Sequence, residues 1–392
     1  MRFAAFLFAA LFASAAQASK PACTTLRAQI AEAPAGPVFL ASYPTAQIVP
    51  LKDNAYLYDN AVAAIALTGC GDVKDAARIG DAIVFALHND PVWHDGRLRN
   101  AYQSGAAGTK PAKVAGWWDA KQNKWVEDGY QAGSDTGNQA WAMLALLVLY
   151  RADHDARYRD AATMIAKWAE KNFDNRRPPG FDGGTFGDPP KINRWKSTEH
   201  NTDVAAAFAQ LAAATGDRHW LTAAKIARRF VSAMWDATCR CFDAGMAEDG
   251  KARNTTLALD AQVWPLMALP GFNTRYAVVL DTIQARVAVN GGYAYGAAKG
   301  GVWTEGTAQA ALLAKLMDRD DMALLSAAEK NRAPDGSYFA TDVPSLSTGF
   351  DMDTDVTQKR AYFHLPHLAA LAWIALAQTG FNPFTGTNAL PR

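Results

Sequence analysis

What this chain lacks narrows it first. It has almost no excess of one charge, with 39 Lys and Arg against 38 Asp and Glu, so bulk electrostatics favour neither nucleic acid nor an acidic membrane surface as a partner. After the first residues no apolar run reaches the length of a membrane span. No His-Glu-x-x-His or comparable pair occurs, and the Gly-rich stretches follow no strand, so neither a catalytic metal nor a phosphate-bearing cofactor is expected. Long alternating strand patterns are missing as well, which turns the reading toward helices.

Residues 1–18 carry Arg2, an apolar run from Phe3 to Ala16 and the small-x-small ending Ala16-Gln17-Ala18, the pattern of a cleaved secretory leader. A periplasmic or secreted protein is therefore expected, its mature part running over 19–392 as one domain. Cysteine is scarce. Cys23, Cys70, Cys239 and Cys241 could form two bridges in an oxidising compartment, one tying the first helix to the end of the next and one a local clasp, though spacing alone does not fix connectivity.

Helical periodicity runs from Thr24 to Thr379, in two kinds of helix. Segments 61–67, 140–150, 204–214, 257–269, 308–316 and 365–377 are apolar nearly all round, as helices buried on every side are. Segments 24–32, 73–87, 157–171, 220–235, 275–287 and 320–330 are amphipathic and belong outside. The kinds alternate. Short polar turns join each buried helix to the next outer one, whereas the returns are long and rich in Gly, Pro, Asn and aromatics, a length that usually signals function. Six inner and six outer helices make an all-α (α/α)6 toroid, with the inner amino termini and the long loops on one face. An open helical solenoid is the alternative, disfavoured because the repeats are unequal in length.

An acid recurs where each of five inner helices begins: Asp59, Asp135, Glu199, Asp260 and Glu305. Each alone reads as a helix cap or a charge favoured by the macrodipole. Five on one face instead suggest glycoside hydrolysis, in which one carboxyl protonates the glycosidic oxygen and another, ionised, activates water or attacks carbon. Glu305, framed by Trp303 and by a Gly306 that would leave room for substrate, is the expected proton donor. Asp135 is the expected base, with Asp59 and Glu199 next. Asp203 would orient Glu199 or His200, while Asp260, Gln262 and His364 look like hydroxyl binders. Trp117, Trp118 and Trp303 are expected to stack on sugar rings, against the plainer reading that each anchors its own loop. His367, one turn beyond His364, reads more readily as a structural histidine.

The segments Tyr58-Asp59-Asn60-Ala61 and Trp303-Thr304-Glu305-Gly306-Thr307-Ala308-Gln309, set on this architecture over nearly the whole chain, resemble those of bacterial (α/α)6-barrel glycoside hydrolases, including endo-glucanases. That resemblance implies hydrolysis of a carbohydrate by two carboxylates without a cofactor, and leaves sugar, linkage and oligomeric state open. Rivals on the same fold are a polysaccharide lyase, a sugar epimerase using His200 and His364, and a non-catalytic glycan-binding part of an export machine.

Overall fold

The computed structural model describes residues 20–351 and 359–389; the leader assigned to 1–18 lies outside them. In chain order the helices are α1 (Pro21–Glu32), α2 (Leu57–Gly69), α3 (Val73–Asn89), α4 (Gly129–Ala132), α5 (Thr136–Asp153), α6 (Ala156–Glu170) and α7 (Thr198–Thr215). They continue as α8 (His219–Ala233), α9 (Asp260–Ala268), α10 (Phe272–Arg275), α11 (Val279–Arg286), α12 (Thr304–Leu316), α13 (Met322–Glu329) and α14 (Leu368–Thr379). None of the described helices is long and apolar enough to cross a membrane.

Each inner helix packs on the next: α2 on α5, then α7, α9, α12 and α14, and α14 returns to α2. The ring is closed, which settles the toroid over the open solenoid. Inner helices are buried on all sides because their outward faces meet an outer layer; α14 is buried from Leu368 to Ala377. The outer helices present one stripe. In α3 it is Ala76, Ile79, Gly80, Ala82, Ile83, Ala86 and Leu87, the three-to-four spacing of an amphipathic helix. Gly80 permits the contact, since a Cβ there would lie 2.3 Å from Leu149 Cδ1 of α5.

The long returns, expected to be irregular, contain short antiparallel strand pairs such as Phe173–Asp174 with Gly180–Phe181 and Trp235–Asp236 with Cys241–Phe242. Two-residue strands are too short to show alternation in sequence. A repeated device pins them to the ring. The side-chain amides of Asn60, Gln139, Asn201 and Gln262 each bond both the N–H and the C=O of one loop residue, respectively Leu40, Leu98, Phe181 and Phe242, at 2.8–3.0 Å. Buried loop backbone is thereby satisfied at the start of four inner helices. Both disulfides form, Cys23–Cys70 between α1 and the end of α2, and Cys239–Cys241 within its loop.

Inside the ring Trp141, Trp264 and Trp373 meet with centroids 5.2–6.0 Å apart, joined by Phe384 from the final segment. The mouth above them is built from the long loops.

Candidate active site

A cleft of about 820 Å³ opens on the loop face. Tyr58, Trp141 and Trp264 form its aromatic floor, and its wall brings together Asp59, Asp135, Glu199, Asp203, Asp260 and Glu305 with His200 and Trp303. These residues come from α2, α5, α7, α9 and α12 or the residues that start them, so the expected convergence of acids is what the chain builds.

Capping does not account for them. Asp59, Glu199 and Glu305 lie in first turns, and Asp135 sits at the cap position of α5 without its side chain bonding the helix. Helix α7 is capped by Ser197, whose hydroxyl accepts from the His200 N–H at 3.2 Å. Asp260 alone turns back on its own backbone, accepting from Ala261 N–H at 2.6 Å.

Burial and crowding set the charges. Glu305 is 1 % exposed. Burial pushes its carboxyl up to about 7, against the pull of His367 and of the Tyr58 hydroxyl, with Asp59 and Asp260 adding to the rise. Tyr58 and the Gln309 amide both donate to Oε1, while Oε2 is buried without a hydrogen bond. Asp203 has no exposed surface and neither oxygen finds a partner. Burial and the neighbouring Asp260 push it far above the ordinary carboxylate range. Asp260 itself is raised by burial to about 6. Glu199 keeps part of its surface open to the cleft, yet the surrounding protein, and then Asp260, Asp203, Glu305 and Asp135, drive its carboxyl well upward. Like charges confined together cannot all ionise.

The balancing group is His367. Its Nε2 lies 3.3 Å from Asp59 Oδ2 and its Nδ1 3.9 Å from Glu305 Oε2, with the ring stacked on Tyr43 at 4.5 Å. Burial works against the imidazolium, but Asp59 and Glu305 outweigh it and hold the ring above its ordinary value. His200 goes the other way, lowered to about 3 by burial and Arg360, so it stays neutral. Gly137 makes space for it: a Cβ there would lie 2.5 Å from His200 Cδ2.

Several expected positions fall elsewhere. Gln262 is absent from the cleft wall because its amide is spent on Phe242 and on the Ala258 carbonyl. His364 also lies off the wall, stacked on Phe339 at 4.0 Å with Nδ1 2.6 Å from the Thr341 carbonyl; it forms no couple with His200. Trp117 and Trp118 belong to a separate strand pair, Trp117–Asp119 with Lys124–Val126, outside the cleft lining. Gly306 makes room for the Trp303 ring rather than for substrate, since a Cβ would lie 2.1 Å from Trp303 Cε3.

Sequence reasoning undervalued His367 and passed over Tyr43, Tyr362 and Arg360. Arg360 and Tyr362 lie on the strand Lys359–Phe363 and reach the cleft wall. Their signal was weak, since they sit outside the recurring segments. Tyr43 lies on a loop no motif marks. Tyr58, by contrast, stands beside Asp59 within a segment already singled out. Among the described residues no His, Cys, Asp and Glu group has the geometry of a metal site.

Solved structures of similar fold include a glycosidase with one glutamate replaced by alanine, with TM-score 0.62 at 15% identity over 92% of this chain and 96% of that one. An α-mannanase of glycoside hydrolase family 76 from Bacteroides thetaiotaomicron gives TM-score 0.55 at 13% identity, over 92% and 95% of the two chains. A bacterial glucoamylase complexed with acarbose gives 0.57 at 14%, over 83% of this chain and 48% of that longer one. The fold is therefore the (α/α)6 barrel shared by these glycosidases. No protein-family model matches the chain, and no curated protein matches it in sequence.

Proposed function

We propose that this chain is an exported glycoside hydrolase acting on a neutral or weakly charged poly- or oligosaccharide, with residues 19–392 as its catalytic domain. One observation carries the reading: six carboxyl groups from the starts of five inner helices line one aromatic-floored cleft, several of them pushed to hold protons near neutral pH. A hydrolase needs such a division between a protonated and an ionised carboxyl. The fold's glycosidase neighbours support the same class, and the apolar leader and two disulfides support export.

Glu199 is the better donor than Glu305. Its carboxyl is pushed upward yet keeps surface open to the cleft, whereas Glu305 has one oxygen occupied by Tyr58 and Gln309 and the other sealed. Glu199 would pass its proton to the leaving glycosidic oxygen. Asp135, on the neighbouring inner helix, would take a proton from the water attacking the anomeric carbon. Glu305, held by Tyr58 and facing His367, then acts through its field on Glu199.

The test is to incubate purified protein with α-mannan, α-glucans, β-glucans and uronate polymers, reading both new reducing ends and the absorbance of unsaturated products. Reducing ends that appear with wild type and vanish with Glu199→Gln or Asp135→Asn support hydrolysis. Unsaturated product from a uronate polymer, or no turnover across the panel, would sink it.

A further inference from the structure

Outside the cleft, the pair Trp117–Asp119 and Lys124–Val126 places Trp118 directly opposite Trp125. Cross-strand partners project from the same face of a hairpin. Here that face is solvent: Trp118 is 57% and Trp125 39% exposed. Two large aromatic rings on one exposed face is an arrangement that folding alone does not favour, and exposed apolar patches of this kind mark contact sites.

The hairpin is also stiff. Asp119 accepts from the N–H groups of Lys121 and Gln122 at 2.8 and 3.1 Å, which fixes its turn. The Trp125 indole donates to the Ala115 carbonyl at 3.3 Å. Gly116 lies so close beneath that a Cβ would sit 2.3 Å from the Val126 carbonyl oxygen. The Trp125 ring, held this way, loses little freedom on binding.

Continuity with the cleft identifies the occupant. Gly116 N–H donates to Asn54 Oδ1 at 3.3 Å, and the Asn54 amide donates in turn to the Pro50 carbonyl. Pro50 lines the cleft together with Ile48 and Val49, which are 55% and 49% exposed. The base of the hairpin is thus hydrogen-bonded to a segment that lines the cleft, and its turn carries the exposed polar side chains of Lys121 and Gln122. Aromatic faces flanked by hydrogen-bonding groups suit the C–H faces and hydroxyls of a sugar chain.

We infer that the Trp118–Trp125 hairpin is a second glycan-binding platform, which holds a polymer strand extending beyond the cleft. The inference rests on the hydrolase reading for its class of ligand, but its readout is separate. Full-length protein is run in native gels containing soluble α-mannan, α-glucan or β-glucan, beside the Trp118→Ala/Trp125→Ala double variant. Wild type retarded by at least one of these, with the variant's apparent affinity down about tenfold, supports the platform whether or not either protein hydrolyses the polymer. If hydrolysis is found, the variant also loses turnover on polymer relative to a short oligosaccharide. Equal retardation of both proteins would overturn the inference, as would no retardation of wild type. So would sedimentation showing that wild type self-associates through these indoles and the variant does not.

Discussion

Two clusters of buried charge can be set side by side. Around Arg99, which is 1 % exposed, opposite charges meet: its Nε donates to Asp90 Oδ2 at 2.8 Å and Nη1 to Glu127 Oε2 at 3.0 Å. The other Asp90 oxygen accepts the N–H groups of Val92 and Trp93, each at 2.9 Å. In the cleft, equally buried acids face one another, and Asp203 and Glu305 leave oxygens without partners. The chain can satisfy a buried carboxylate fully when a loop must be held. Where it does not, burial first and then the crowding of acids raise proton affinity, a condition that costs stability and suits the proposed acid–base chemistry.

The comparison breaks most sharply in activity. Glu199→Gln should lower turnover by about 10²–10⁴-fold, the usual contribution of a general acid, while the melting temperature stays close to that of wild type, because a neutral amide replaces a carboxyl held protonated. Turnover within a factor of two of wild type would remove Glu199 from the chemistry. Arg99→Ala should do the reverse. It strands Asp90 beneath the surface and should cost about 3–5 kcal/mol of stability, read by denaturant unfolding. A loss under 1 kcal/mol would mean that the two clusters do not differ as described.

A smaller effect follows from pH. Asp260 and Glu305 rise from ordinary values of 3.8 and 4.5 to about 6 and about 7, and Asp182, buried away from the cleft wall, rises to about 7. Between the unfolded and folded values the native state binds more protons, so stability falls as pH rises through this window, by about 1.4 kcal/mol per pH unit for each extra proton. His367, raised above 6.5, adds to the same direction, whereas His200, lowered to about 3, opposes it below about pH 6.5 and is outnumbered by the raised carboxyls. Thermal unfolding should therefore show a higher midpoint at pH 5 than at pH 8, and Glu305→Gln should flatten that profile. A midpoint that climbs with pH would contradict the protonated cleft.

The ring was legible because its signal is periodic. Fully apolar and amphipathic helices alternate, and Asp59, Asp135, Glu199, Asp260 and Glu305 each mark an inner start. The finer roles were not legible, since spacing shows that a residue stands at the mouth but not which way its polar atoms turn. Asp260 and Gln262 stand two residues apart at the start of α9, yet one lines the cleft and the other holds a loop. His367 looks structural in sequence because its partners, Asp59 and Glu305, lie far from it along the chain and on two other helices. The Trp117–Val126 pair is too short to read as strands, so nothing in the sequence sets Trp118 opposite Trp125.

The least expected cost falls on the loop clamps, and Gln262 separates the two readings of a polar residue at the mouth. Replacing it by Leu strands the N–H and C=O of Phe242, which it bonds at 2.8 and 2.9 Å. Some of that loss is recovered as the loop shifts toward solvent, so a cost of about 1–2 kcal/mol is expected. Because Gln262 does not line the cleft, KM for a hydrolysed glycan should stay within about twofold, since losing a net hydrogen bond of about 1 kcal/mol to a sugar hydroxyl would shift it further. A raised KM with unchanged unfolding free energy would return Gln262 to the sugar-binding wall and show that an amide at this position does not belong with the satisfied cluster.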